Sequence, residues 1–206
     1  MATNVFISFR FSDGADLKEE LVNLFDSSTE VINRSEDVDR SEMTDDTIRK
    51  YLYDKLKTTS VTIIILTPEA VKYNKNWLGE YDDWLYDELR YSLEDREENR
   101  TNGAIALYTD DSKDQLMKSS THICDVCQEE TSCTEILHFE NLVRRNMMNV
   151  KGEYKANKCE DLFDKEKDSY ISLVHFDDFK KHYKNYIDAA KEKRDRKDEF
   201  DLVKRM

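Results

Sequence analysis

The sequence predicts an α/β fold: a doubly wound parallel sheet of five strands in the order 2-1-3-4-5, with an insertion between the fourth and fifth strands. Three observations carry that reading. Short apolar runs alternate with helical stripes along the chain, and parallel strands joined by right-handed crossover helices produce that alternation. One run, Val61-Thr62-Ile63-Ile64-Ile65-Leu66-Thr67, is almost continuously apolar and β-branched, as expected of a central strand covered on both faces. Only 4 glycines and 1 proline occur in 206 residues, too few for an all-β fold with many tight turns.

Asn4-Val5-Phe6-Ile7-Ser8-Phe9 reads as the first strand, and Leu17, Leu21, Leu24 and Phe25 follow at helical spacing on one face. Glu30-Val31-Ile32-Asn33 is the second strand. A polar loop over residues 34–43 leads to a helix with Ile48, Tyr51, Leu52 and Leu56 in register and Thr44 as its N-cap. Pro68 closes the central strand, and a helix is expected over residues 83–96. Ala104-Ile105-Ala106-Leu107-Tyr108 and Tyr170-Ile171-Ser172-Leu173-Val174-His175-Phe176 complete the sheet. The last helix carries Phe179, Tyr183, Tyr186, Ile187 and Ala190 on one stripe, with Asp177 or Asp178 as cap.

These segments make one domain with its core in residues 1–110 and 170–195. The insertion, residues 109–169, is too long for a simple loop and too polar for a second core, and is expected to hold one or two short helices around residues 134–148. Beyond Lys191 the charges have mixed signs, so residues 191–206 are expected to prolong the last helix as a solvated, frayed extension.

With 32 Lys+Arg against 45 Asp+Glu, the formal charge is −13. A chain this acidic repels polyanions and gains nothing from counterion release, which argues against nucleic acid as a partner. The charged fraction is 37%, but 11% of residues are aromatic and supply the burial that disordered chains lack. No run of about 18 apolar residues occurs and the first residues enter a strand at once, so neither a membrane span nor a signal peptide is expected, and a cytoplasmic protein is. The glycines spell neither G-x-x-x-x-G-K-[ST] nor G-x-G-x-x-G, so any nucleotide is held in another way.

In a sheet of this order, ligands bind outside the carboxyl ends of the strands at the switch point, here the loops after Phe9, Asn33 and Thr67. A helical stripe through Tyr81, Trp84, Leu85, Leu89 and Ser92 also passes through Glu88, four residues after Trp84. A carboxylate set against aromatic surface is a functional candidate, and a Glu at the rim of an amphipathic helix is the plainer reading. Cys124 and Cys127 form a C-x-x-C with His122 before and Cys133 after, a set that could give four tetrahedral zinc ligands. Cys159 is an equally good member; reduced cytosolic thiols with no metal bound are the expected reading, and a zinc site or a redox role are its alternatives. His138, His175 and His182 stand alone in sequence and read as packing or surface residues.

Val5-Phe6-Ile7-Ser8-Phe9-Arg10, the strand of residues 61–66 and Asp83-Trp84-Leu85-Tyr86-Asp87-Glu88-Leu89, in that order, resemble the first strand, third strand and W-x-x-x-E helix of a TIR domain, a flavodoxin-like fold. The stretch from Tyr81 through Arg96, followed by Arg100-Thr101-Asn102-Gly103, is most similar to the bacterial TIR-like proteins of the Thoeris anti-phage defence system. The resemblance implies an NAD⁺ nucleosidase or cyclase that cleaves the nicotinamide–ribose bond and makes an ADP-ribose-derived signalling molecule. It implies Glu88 as the catalytic carboxylate and Trp84 as the wall beside it. It also implies substrate contacts from Ser8, Phe9 and Arg10, Phe9 stacking and Arg10 neutralising a phosphate, and from Arg34 and Ser35, with Glu36 beside them in a closing loop.

That loop is acidic here and lacks the glycine and proline common in the family. The partners implied are NAD⁺ as substrate, with no separate cofactor, an effector protein activated through the product, and self-association. The competing reading is a non-catalytic adaptor of the same fold, since such folds host both roles. A receiver-like domain would need an acidic cluster after the first strand and a Lys after the fifth, where Phe9-Arg10 and Phe176-Asp177 stand instead.

Overall fold

In the computed structural model, which describes residues 2–35, 45–95, 100–128, 130–157, 159 and 162–206, the chain runs β1 (Thr3–Ser8), α1 (Phe11–Asp26), β2 (Val31–Asn33), α2 (Asp45–Leu56), β3 (Val61–Leu66), α3 (Trp84–Leu93), β4 (Gly103–Tyr108), α4 (Asp110–Leu116), β5 (Met117–Ile123), β6 (Glu130–Ile136), α5 (Leu142–Arg145), β7 (Ile171–His175) and α6 (Phe176–Asp195). Thr44, Glu36 and the rest of the loop before α2, the side chain of Ile48, and Arg96 lie outside the described residues. Five strands form one parallel sheet in the order β2-β1-β3-β4-β7, the order the sequence predicts.

Strand alternation sends side chains to two apolar layers. Val5 and Ile7 of β1, with Ile63 and Ile65 of β3, pack under Leu21 and Phe25 of α1 and Ile187 of α6. On the other face Ile64 and Leu66 meet Leu85, Leu89 and Leu93 of α3, while Phe6 meets Leu52 and Leu56 of α2. All six residues of β3 are fully buried, each large apolar one worth about 1.5–3 kcal/mol of transfer free energy. Gly103 opens β4 because α6 lies directly on it: a Cβ there would stand 2.3 Å from the Ala190 carbonyl oxygen.

Four features depart from expectation. Helix α6 is capped by His175, whose Nδ1 accepts from the Asp177 amide at 3.3 Å, and not by Asp177 or Asp178, because Phe176 is already helical and buried. Helix α3 ends at Leu93, short of residue 96. The insertion folds as α4, an antiparallel β5–β6 hairpin and the one-turn α5; a short helix does fall within residues 134–148, but the hairpin, whose second strand reaches Ile136, was not expected. Leu142 and Val143 of α5 are fully buried and join the α3 side of the core, so this part of the insertion is core.

The fourth departure is the last stretch. Helix α6 stops at Asp195, a 3-10 turn spans Lys197–Glu199, and residues 200–206 run back over the α3 side in place of a solvated helical extension. Phe200 is 4% exposed and meets Tyr170 edge-on at 5.4 Å, with Leu202, Val203 and Met206 packed behind it. Burial of these apolar groups outweighs continuation of the charged helix. No helix among the described residues is long and apolar enough to cross a membrane.

Candidate functional site

β1 lies between β2 and β3, so the connections leave it in opposite directions and open a crevice at its carboxyl end. Ser8 ends β1, on the face that Phe6 shares with α2, and its Oγ donates to Glu88 Oε2 at 2.5 Å. Glu88 is half-buried on α3, on the inward side with Leu85, Leu89 and Ser92. Ser92 pins that helix to the sheet: its Oγ lies 2.7 Å from Thr62 Oγ1 and donates to the Glu88 carbonyl at 2.8 Å. The carboxylate is thereby held at the switch point by two strands.

The start of α3 is fixed by Asp83. Its Oδ1 accepts from the Leu85 amide at 3.0 Å, an N-cap, and its Oδ2 accepts from the Asn74 amide at 2.7 Å and pairs with Arg10. The side chain of Asp83 is wholly buried and that of Arg10 is 16% exposed. Arg10, expected to meet a phosphate, is thus taken up by an internal ion pair that ties the end of β1 to α3. Arg34 also turns elsewhere. Its Nε lies 3.4 Å from Asn4 Oδ1, in the amino half of β1 and about 13 Å back along the strand from Ser8.

Ser35 is brought to the end of β1 as a structural hydroxyl: its Oγ accepts from the Ile7 amide at 2.8 Å and donates to Asn33 Oδ1 at 2.5 Å. Phe9 stands beside Ser8, half-buried, its ring 4.8 Å from Phe11. Gly14 leaves room for it, since a Cβ there would come within 3.3 Å of Phe9 Cβ. Trp84 is the first residue of α3 and is 39% exposed. Tyr81 leaves the expected stripe, stacking on Tyr86 at 4.6 Å and donating to Glu140 at 2.6 Å. Burial pushes the neighbouring Tyr73 phenol well above its ordinary range.

Asp13, which sequence reasoning passed over, closes the opposite rim. It accepts from Thr67 Oγ1 at 2.7 Å and from the Glu69 amide at 3.2 Å, fastening the first turn of α1 to the loop after β3. The rim therefore carries Asp13, Glu69, Asp83 and Glu88, with Arg10 neutralising Asp83. Arg10 and Lys18, whose Nζ lies 6.0 Å from the Phe9 ring, are cations beside these carboxylates. A cleft of about 300 Å³ lined by Thr3, Glu30, Lys184 and Lys191 lies at the amino edge of the sheet, away from these residues.

The cysteines separate into two places. Cys124, Cys127 and Cys159 place their sulfurs within 4.8 Å of one another. Cys133 sits on β6 opposite Ser120, and His122 is exposed on β5 opposite Thr131, so the candidate set of four is not assembled among the described residues. The amides of Cys127 and Val126 bond to the Cys124 sulfur and hold its thiol below the usual cysteine range. His138 and His182 are exposed, and His175 serves as the cap of α6. No model of a known protein family matches the chain.

Proposed function

We propose that this chain is a TIR-type NAD⁺ nucleosidase or cyclase, cytoplasmic, whose product is an ADP-ribose-derived signal in anti-phage defence. The observation that carries the reading is the Ser8–Glu88 hydrogen bond, which sets one oriented carboxylate at the sheet's switch point. Nicotinamide leaves as a neutral pyridine, taking the electrons of the broken C1′–N bond, so no general acid is required. The charge left on the ribose is an oxocarbenium, and a fixed carboxylate stabilises it as it develops. Glu88 is the catalytic residue and Ser8 positions it. Capture of the cation within the molecule gives a cyclic product, capture by water gives ADP-ribose, and exclusion of water decides between them. The product would activate a separate effector protein.

The test is incubation of the purified chain with NAD⁺, with and without phage-infected cell extract, and mass spectrometry of the products for wild type and Glu88→Gln. Nicotinamide release by wild type alone supports the reading. Equal release by both overturns the assignment of Glu88.

One observation favours an adaptor as the second reading. Trp77 is 90% and Leu78 60% exposed, on a turn in which Asn76 Oδ1 accepts from the Leu78 and Glu80 amides, each at 3.0 Å, and Gly79 has φ +79°. An exposed Trp on a hydrogen-bonded turn is suited to anchor another protein. Absence of NAD⁺ turnover under every activating condition, with partner capture lost in Trp77→Ala, supports that reading.

A further inference from the structure

Cys124 and Cys127 bracket the turn at the tip of the β5–β6 hairpin, and Cys159 reaches the same spot from 35 residues further along the chain. The Sγ atoms of Cys124 and Cys159 are 3.4 Å apart. The Gln128 amide donates to the Cys124 carbonyl at 2.8 Å, and Gln128 itself has φ 60°, a left-handed backbone that costs a side-chain-bearing residue. The turn thus holds a strained residue while the amides of Val126 and Cys127 converge on one sulfur. Converging backbone N–H groups form a cradle that favours negative charge on the Cys124 sulfur.

We propose that Cys124, Cys127 and Cys159 bind one zinc ion through three thiolates, fastening the hairpin tip to Cys159. Zinc–sulfur bonds of about 2.3 Å at tetrahedral angles place sulfurs about 3.8 Å apart, between the 3.4 Å of the Cys124–Cys159 pair and the 4.8 Å that bounds all three; a disulfide requires about 2.05 Å. Three thiolates select a soft or borderline ion over magnesium or calcium. Binding releases three protons and leaves one net negative charge, which the Lys155 ammonium, 2.6 Å from the Cys159 carbonyl, offsets. No fourth donor lies within the same radius among the described residues. Cys133 belongs elsewhere: it stands three ladder positions from the Ile123–Glu130 pair, roughly 10 Å from the tip. The hairpin needs such a tie, because six of the seven residues of β5 are exposed and little apolar burial holds it.

The test is elemental analysis of the full chain purified without chelator, repeated on Cys124→Ser, Cys159→Ser and Cys133→Ser. One zinc per chain is expected in wild type and Cys133→Ser, with loss of the metal from the other two. Cobalt in place of zinc is expected to give thiolate-to-metal charge transfer and intense visible bands. Should the variants fail to fold, thiol titration of native wild type decides. At most one of the 4 cysteines should react with zinc bound, and all after chelation. Wild type that retains no zinc, a Cys133→Ser variant that loses it, or a Cys124–Cys159 disulfide formed in the presence of zinc overturns the proposal.

Discussion

The buried carboxylate of Asp83 holds Arg10 while capping α3, so one side chain joins the end of β1, the loop at Asn74 and the helix that carries Glu88. Asp83→Ala removes a cap and leaves a largely buried guanidinium unpaired. The expected loss is about 3 kcal/mol, read from the urea midpoint. A loss below about 1 kcal/mol would show that water replaces the carboxylate at no cost.

Ser8→Ala tests the positioning of the carboxylate without removing it. If Ser8 orients Glu88, NAD⁺ turnover should fall about ten- to a hundredfold with KM little changed, and Ser8→Thr should recover part of it. Glu88→Gln should cost more, about a hundred- to a thousandfold. Single-turnover assays on folded protein distinguish these from a change in binding.

Lys193 supplies a pH signature. Burial pushes its ammonium from 10.5 down to about 8, with Glu166, Asp164 and Asp168 opposing that shift and Arg196 adding to it, and its Nζ donates to the Ser169 carbonyl and Ser172 Oγ. A folded value below the unfolded one means that the folded chain holds fewer protons between pH 8 and 10.5. The cost of the buried charge is therefore fully present below pH 8 and is relieved as pH rises through that window. Relative to Lys193→Met, wild-type stability should climb across it by up to about 1.4 kcal/mol per pH unit. Parallel pH–stability curves for the two proteins would contradict this.

Gly103→Ala should destabilise by about 1–3 kcal/mol, because the added methyl meets the Ala190 carbonyl and α6 must move off β4. Gly152→Ala is the control. Nothing lies within 4 Å of its Cβ position, and the change should stay within about 0.5 kcal/mol. Thermal melts of the two variants make the comparison.

The sheet was legible in sequence because its strands are buried on both faces and read as apolar runs, Val61 to Leu66 above all. The place of Glu88 on the inward side of α3 was legible because a carboxylate interrupts an apolar stripe at a fixed step from Trp84. The β5–β6 hairpin was not, since exposed strands held by backbone pairing leave no hydrophobic period. Long-range partners leave no local trace either: Asp83 lies 73 residues from Arg10, and Cys159 lies 35 from Cys124. The fate of residues 200–206 depended on a groove made by Asn146, Asn149 and Tyr170, which no window around Phe200 contains.

That returning segment also sets an order of events during synthesis. Met206 donates its amide to the Tyr86 hydroxyl across 120 residues, and Arg205 meets Glu94 at 2.9 Å, both on the α3 side of the molecule. At about 5–20 residues per second, ribosomes need about 6–24 s to make the chain between Tyr86 and its partner. Through that interval the helix that bears Glu88 lacks its outer cover, and so do β4 and α5 until β7 arrives. The α3 side is therefore covered only once residues 200–206 have been made, although Ser8, Arg10, Asp13, Asp83 and Glu88 all occur in the first half of the sequence.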